Sequence, residues 1–405
     1  MDGRRNAVHN WWEDCKYRAM TSAMSLSETT LQPAMIASGE AEAGGVLTID
    51  LAAIAANWKR LYGMTIPVEC AAVVKADAYG CGIERVVPAL KKIGCRTFFV
   101  ADLAEGRRVR AAAPDAVVYV LNGLMPGTAA AFADANLRPV INSPTELAEW
   151  DTFVASNNWR GGAALHVDTG MNRLGLTPEE AVAIAPRVQA EGHGFSLLMS
   201  HFACAETPAH PMNDRQIRLF REIRILFRGV PSSLANSAGI FLGGTAHCDL
   251  VRPGIALFGG NPIPGQKNAM RSVVELKGRI TQVRAIKKGD TVGYGASWTA
   301  ARPTRLAVVA IGYGDGYFRA AAATKNKAPA NAIVAGKRCP LIGRISMDLI
   351  AVDVTDVPGG AARRGEFATL IGGAIDVDEL GTASGTISYE VLTNLGRRYH
   401  RNYRD

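Results

Sequence analysis

Five positions in this chain, counting the pair Asn236–Ser237 as one, carry reactive or polar groups where a fold could aim them at one place. Lys75 lies in the apolar run 71–77 (AAVVKAD), flanked by Val73, Val74 and Ala76. A charged ammonium is costly to bury there. Loss of water also pushes an amine toward its neutral, nucleophilic form, the form a Schiff-base lysine requires. The plainer reading is a lysine that snorkels out or pairs with Asp77, and the residues alone leave both open. Arg252 ends the run 248–253 (CDLVRP). Its guanidinium suits a heteroaromatic nitrogen or a carboxylate, or simply a neighbouring acid. Ser237, followed by Ala238 and Gly239, has the type of a helix N-cap, and a helix N-terminus is a ready phosphate site. His201, in SHF, reads first as a satisfied interior imidazole and only second as a base. Arg173 and Asn236 complete the set.

These residues act together only if one scaffold brings them to one end. The apolar runs 71–77, 97–102, 116–121, 137–141, 162–168, 195–202, 231–236 and 248–253 are eight candidate strands. Near-continuous apolar strands are what a parallel sheet covered by helices demands. The stretches between them read as helices. Segment 83–94 has helical spacing and ends in Gly94; 177–192 opens with the Thr177/Glu180 capping-box spacing; 213–228 places Ile217, Phe220, Ile223, Leu226 and Phe227 on one side. Eight alternations predict an α/β protein built on a (β/α)8 barrel, with active residues at the C-terminal strand ends. A doubly wound open sheet is the alternative on pattern alone. No GxGxxG follows the first strand, which weighs against a dinucleotide site.

After about residue 270 the texture changes. Runs 273–285, 306–312, 332–335 and 348–354 alternate with Gly- and Asp-containing turns, and a helix is expected only at 387–396. The expected organisation is therefore a disordered extension over 1–45, a barrel over 46–270 and a mostly β domain over 271–405. The extension is polar, aperiodic and without the apolar core of a secretory signal.

Bulk properties exclude other classes. The 405 residues carry 45 Lys+Arg against 37 Asp+Glu, a net charge of +8, with acids interspersed and no nucleic-acid motif. No apolar run approaches the length of a membrane helix. The seven cysteines are scattered and form no CxxC pair, which argues against a disulfide framework or structural zinc and for reduced thiols in a cytoplasm. No metal is expected.

Segment 73–80 (VVKADAYG) resembles the cofactor-lysine signature of the alanine racemases. The resemblance continues in chain order through 168–176 (DTGMNRLGL), 200–202, 235–238, 250–259 (LVRPGIALFG), 292–299 (VGYGASWT), 311–316 (IGYGDG), 342–348 (IGRISMD) and 388–403. It implies an enzyme, an isomerase that interconverts L- and D-alanine with pyridoxal 5'-phosphate. Lys75 would hold the cofactor as a Schiff base and serve as one catalytic base; Tyr294 would be the opposing base. Arg252 would face the pyridine nitrogen, and His201 would link it to Tyr294. Tyr79, Ser237, Gly254, Ile255 and Tyr389 would hold the phosphate. Arg173 would contact the cofactor's phenolic oxygen and the substrate carboxylate, Met347 would seat that carboxylate through its backbone, and Tyr313 would line the entrance. The resemblance also implies a homodimer in which Tyr294 of one chain completes the site around Lys75 of the other. Its expected role is D-alanine supply for peptidoglycan. The alternatives are a broad-specificity or serine racemase, or a protein that only handles the cofactor. Decarboxylases of this barrel type place an acid at the pyridine nitrogen, so Arg252 favours racemisation.

The chemistry agrees with these roles. Racemisation removes a proton from one face of Cα and returns one to the other, which suits two bases on opposite faces. Lysine and tyrosine both start near pKa of about 10 and must be tuned downward to act near neutrality. Two positions depart from the family. Many members carry a lysine seven residues before the arginine at 173, carbamylated to anchor it; here that position is His166, and a bound chloride or other anion is one substitute. Cys81 stands where the signature usually continues to histidine.

Overall fold

The computed structural model describes residues 39–189, 194–323 and 327–405. Most of the expected extension, with Trp11, Trp12 and Cys15, lies outside them. The barrel is built as the apolar runs require. Seven strands, Ala72–Val73, Thr97–Val100, Val117–Val120, Arg138–Ile141, Ala163–His166, Phe195–Met199 and Ser232–Ser233, follow one another in parallel in sequence order. Leu250–Val251 supplies the eighth, in parallel with Glu69–Cys70. Backbone bonds from Arg252 to Ala235 (2.9 Å), Ala71 to Val251 (2.9 Å) and Val73 to Pro253 (2.9 Å) join it on both sides and close the ring. Phe98, Phe99, Val118, Val140, Leu165 and Leu198 are fully buried, so the barrel holds a packed core rather than a pore.

The helices start where their caps predict. Thr177 and Glu180 form a reciprocal capping box at Pro178–Ile184, and Asp102 and Ser143 cap Leu103–Ala112 and Pro144–Asn157. Helix Pro211–Leu226 buries Asn213, Gln216, Phe220 and Ile223, and Phe227 just after it is buried. Leu226, expected on that face, is 40% exposed, because the buried positions follow the 213/216/220/223/227 line.

The second half is a mostly antiparallel β structure. Val274–Ile286 pairs with Phe367–Ile371 at one end and Thr304–Val309 at the other, and Asn331–Val334, Lys337–Ile342 and Ile350–Asp353 complete the ring between them. Register shifts at Ile280/Gln282 and Leu276/Lys277 bend the long strand as it changes partners. Gly45–Asp50, expected from residue 46 onward to belong with the barrel, is hydrogen-bonded in this sheet instead. It lies antiparallel to Val274–Ile286 and parallel to His400–Arg404. Partners on both edges bury all but its last residue. A helix that the sequence did not suggest, Val377–Ser384, precedes the expected Ser388–Asn394.

Candidate active site

Lys75 does not sit inside a strand. It stands two residues beyond Ala72–Val73 and opens a turn in which Ala76, Asp77, Ala78 and Tyr79 all have φ between 52° and 55°. Such left-handed backbone is rare for residues with a Cβ and persists only where the surroundings enforce it. Here they do. Glu105 accepts from the Asp77 N–H (3.0 Å) and the Ala101 N–H (2.9 Å). Asp77 accepts from the Ile83 N–H (3.1 Å) and from Arg108 (2.5 Å), which also grips Glu84. Asp77 is thus engaged by Arg108. The turn delivers the Lys75 amine into a cavity of about 360 Å³ at the C-terminal end of the barrel strands. Desolvation, and then the charge of Arg173, lower the amine below its ordinary pKa, with Glu105 opposing.

Arg252, His201, Arg173, His166, Asn236 and Ser237 line the same cavity. Arg252 is 3% exposed, and its hydrogen bonds run to neutral groups only: the Ser233 hydroxyl, the Ser200 carbonyl (2.6 Å) and, more loosely, the Leu234 carbonyl (3.4 Å). Burial lowers its pKa to about 10. A buried guanidinium with spare donors beside a cavity is suited to an electron-rich partner brought in by a ligand. Its Nη2 stands 3.4 Å from His201 Nδ1. Desolvation, followed by Arg252 and Arg173, holds His201 well below its ordinary pKa, so the ring is neutral at pH 7. One half of the expected Tyr294–His201–Arg252 link is therefore present within the chain.

Tyr79, Ser237, Gly254, Ile255 and Tyr389 cluster at one wall of the cavity. Ser237 does not cap the following helix; Asn236 takes that part by accepting from the Gly239 N–H (2.8 Å). The Ser237 oxygen accepts from the N–H groups of Gly254 (2.8 Å) and Ala256 (3.3 Å). That fixes the hydroxyl while its own proton meets no partner among the described residues. A Cβ at Gly254 would lie 2.2 Å from the Tyr79 hydroxyl, so only glycine permits this approach. Tyr79 stacks on Phe258 (4.7 Å) and lies 6.1 Å from the Tyr389 ring. Burial pushes its hydroxyl pKa up, and desolvation, with Glu206 second, pushes Tyr389 to about 12. Both remain neutral donors.

Arg173 is exposed at the cavity wall, with no carboxylate in ion-pair reach among the described residues. His166 is held by Asn142, whose Oδ1 lies 2.8 Å from His166 Nδ1. Desolvation first, then Arg252, lower His166 to about 4. A neutral imidazole supplies no negative charge to Arg173. Glu105, Asn142, Ser200 and Ser233 are supporting residues that sequence reasoning missed. Asn142 had a readable signal, a polar residue immediately beyond an apolar strand of the barrel. Cys81 is a buried thiol pushed up to about 12. The six described cysteines are all free.

Tyr294, Tyr313 and Met347 are not brought to this cavity. They lie in the β half and are 72%, 42% and 54% exposed. Their loops are tied together: the Tyr313 N–H donates to Ser346 O (3.1 Å) and the Gly314 N–H to Met347 O (2.8 Å). Arg344 covers the Gly293–Gly295 turn that carries Tyr294. No helix among the described residues is long and apolar enough to cross a membrane, and no His/Cys/Asp/Glu group among them has the makings of a metal site.

A closed parallel barrel with a lysine of lowered pKa at its mouth, joined to a β domain that presents an exposed tyrosine, is the architecture of a two-domain barrel enzyme. Comparison with known proteins narrows the class. Residues 49–262 match the family model of the alanine racemase N-terminal domain, and residues 273–403 that of the C-terminal domain. A relative from Methylobacterium sp. (strain 4-46), named alanine racemase, is 55% identical over 362 residues, covering 89% of this chain and 98% of the relative. The crystal structure of alanine racemase from Bartonella henselae with covalently bound pyridoxal phosphate superposes with a TM-score of 0.84 at 37% identity, over 89% of this chain and 99% of that one. That of the biosynthetic enzyme from Pseudomonas aeruginosa gives 0.83 at 35%, over 90% and 100%. The chain belongs to the alanine racemase family, whose members are isomerases.

Proposed function

We propose that the protein interconverts L- and D-alanine by two-base proton transfer at Cα, with pyridoxal 5'-phosphate as cofactor, in a homodimer that supplies D-alanine for peptidoglycan. The observation that carries this is the division of the machinery. Lys75, Arg252 and the Ser237–Gly254 cradle share one cavity, while Tyr294 stands exposed elsewhere on the chain. A second copy is the natural source of the tyrosine.

The residues fit the cofactor. Ser237, the Gly254–Ile255 backbone, Tyr79 and Tyr389 would hold its phosphate, Arg252 would meet its ring nitrogen, and Lys75 would bind it covalently. When bound, pyridoxal phosphate supplies the electron sink that makes the substrate Cα proton acidic. The protein does the rest. Lys75 Nζ, already lowered by desolvation, takes or returns the proton on one face. The partner's Tyr294 Oη serves the other face, with neutral His201 between it and Arg252. Arg252 donates a hydrogen bond but gives up no proton readily, which restrains side reactions. Arg173 and the backbone of the partner's Met347 would seat the substrate carboxylate, and the partner's Tyr313 would border the entrance.

The test is an absorbance scan of the purified protein followed by a chiral assay after L-alanine is added. A visible cofactor band, absent in Lys75→Ala, together with D-alanine formation is the expected result. A bound cofactor without alanine racemisation would move the assignment to another amino acid, such as serine, or to cofactor handling. Absence of cofactor from protein supplied with it would overturn the proposal.

A further inference from the structure

The face that carries Tyr313 and Met347 is held by a residue from the far end of the chain. Arg398 lies just before the final strand, His400–Arg404. Its Nε stands 3.1 Å from Asp315 Oδ1, and its Nη2 donates to Asp348 Oδ1 at 2.9 Å. Each carboxylate belongs to one of the two substrate-side loops. Asp315 accepts from the Gly312 N–H (2.8 Å), next to Tyr313, and Asp348 follows Met347 directly. The loops leave almost no room between them. A Cβ at Gly312 would lie 2.2 Å from Met347 O, and one at Gly314 would lie 2.9 Å from Arg398 Nη1 and 3.1 Å from Met347 Cγ. Behind the pair, the Gly396 N–H donates to Asp315 O (2.9 Å), so the C-terminal segment is anchored to the same loop by main chain as well.

We infer that Arg398 is a positioning residue for the reaction. Its planar guanidinium fixes the spacing between the 312–316 loop and the 346–348 loop, and with it the placement of Tyr313 and of the Met347 backbone toward substrate. The inference rests on the proposed roles of those two residues. Two features favour guanidinium over any other cation. It offers donors in a fixed fork, so one group reaches two carboxylates on separate loops. Asp315 is almost fully buried on the loop side, with a side chain 7% exposed, so the pairing is anchored at that end. Arg398 and Asp348 are each 56% exposed, and Asp315 keeps the Gly312 N–H when the guanidinium is removed, so the clamp contributes little to overall stability. Loss of the clamp should loosen substrate seating while the fold persists.

The test uses the full-length enzyme loaded with its cofactor. Arg398→Ala should raise KM for alanine about fivefold, leave kcat within about twofold and shift the melting temperature by no more than about 2 °C. Arg398→Lys, which keeps the charge but not the fork, should recover part of the KM. Tyr313→Ala should raise KM on its own, and adding Arg398→Ala to it should change KM less than about twofold, because both act through one loop. A KM unchanged in Arg398→Ala while Tyr313→Ala raises it would overturn the clamp and leave the proposed function standing. Equal effects of Arg398→Ala in both tyrosine backgrounds, or a parallel loss of kcat and thermal stability, would overturn it as well. If Tyr313→Ala is also silent in an active enzyme, the inference falls together with the assigned role of Tyr313.

Discussion

His166 offers a test in which sign and size both follow from the structure. Its imidazole is ordinarily half-protonated at 6.5 and is held at about 4 by desolvation and by Arg252. The unfolded chain therefore takes up a proton that the folded chain refuses. Stability is complete above the unfolded value of 6.5 and is lost as pH falls toward 4. At about 1.4 kcal/mol per pH unit, His166 alone should cost the fold about 2 kcal/mol between pH 7.5 and pH 5.0, and about 3 kcal/mol once it is fully protonated. His166→Gln removes the titration and keeps an N–H donor for Asn142. Urea unfolding of both proteins, at one protein concentration and at each pH, isolates the residue, since His201 and the carboxylates are common to both. The wild type should lose about 2 kcal/mol more than the variant over that interval. Equal losses would refute the neutral, desolvated imidazole.

Two substitutions probe the cradle and the turn. Gly254→Ala places a Cβ 2.2 Å from the Tyr79 hydroxyl, so cofactor affinity measured by spectroscopic titration should fall at least about tenfold; unchanged affinity would remove Gly254 from the cradle. Glu105→Gln leaves one acceptor oxygen for the two N–H groups at Asp77 and Ala101. It should destabilise the protein by about 2 kcal/mol, read as a melting point lower by several degrees, and an unchanged melting point would show that the left-handed turn holds itself.

The barrel was legible because its strands are buried on both faces and read as continuous apolar runs. The β half was legible because its alternation changes period. The errors have physical causes. The run 71–77 looks like one strand because Ala76 carries no mark of left-handed backbone; that conformation is imposed by Glu105 and Asp77, and side-chain bonds across 28 residues leave no periodic trace. Residues 46–50, expected in the barrel, pair in the other sheet, since a strand shows its face and not which sheet receives it. Lys75, His201, Ser237 and Arg252 were readable as polar groups at strand ends, and the structure gathers them. Tyr294, Tyr313 and Met347 had no such signal within the chain. They were reached only through family resemblance, and the single chain keeps them away from the cavity.

The central claim is that Lys75 of one chain works with Tyr294 of another. Lys75→Ala and Tyr294→Phe subunits, each inactive alone, are mixed in equal amounts, allowed to exchange, and assayed for D-alanine formed from L-alanine. Half the dimers become mixed, each with one intact site, so about a quarter of wild-type activity should return. No recovered activity after demonstrated subunit exchange would contradict a shared site.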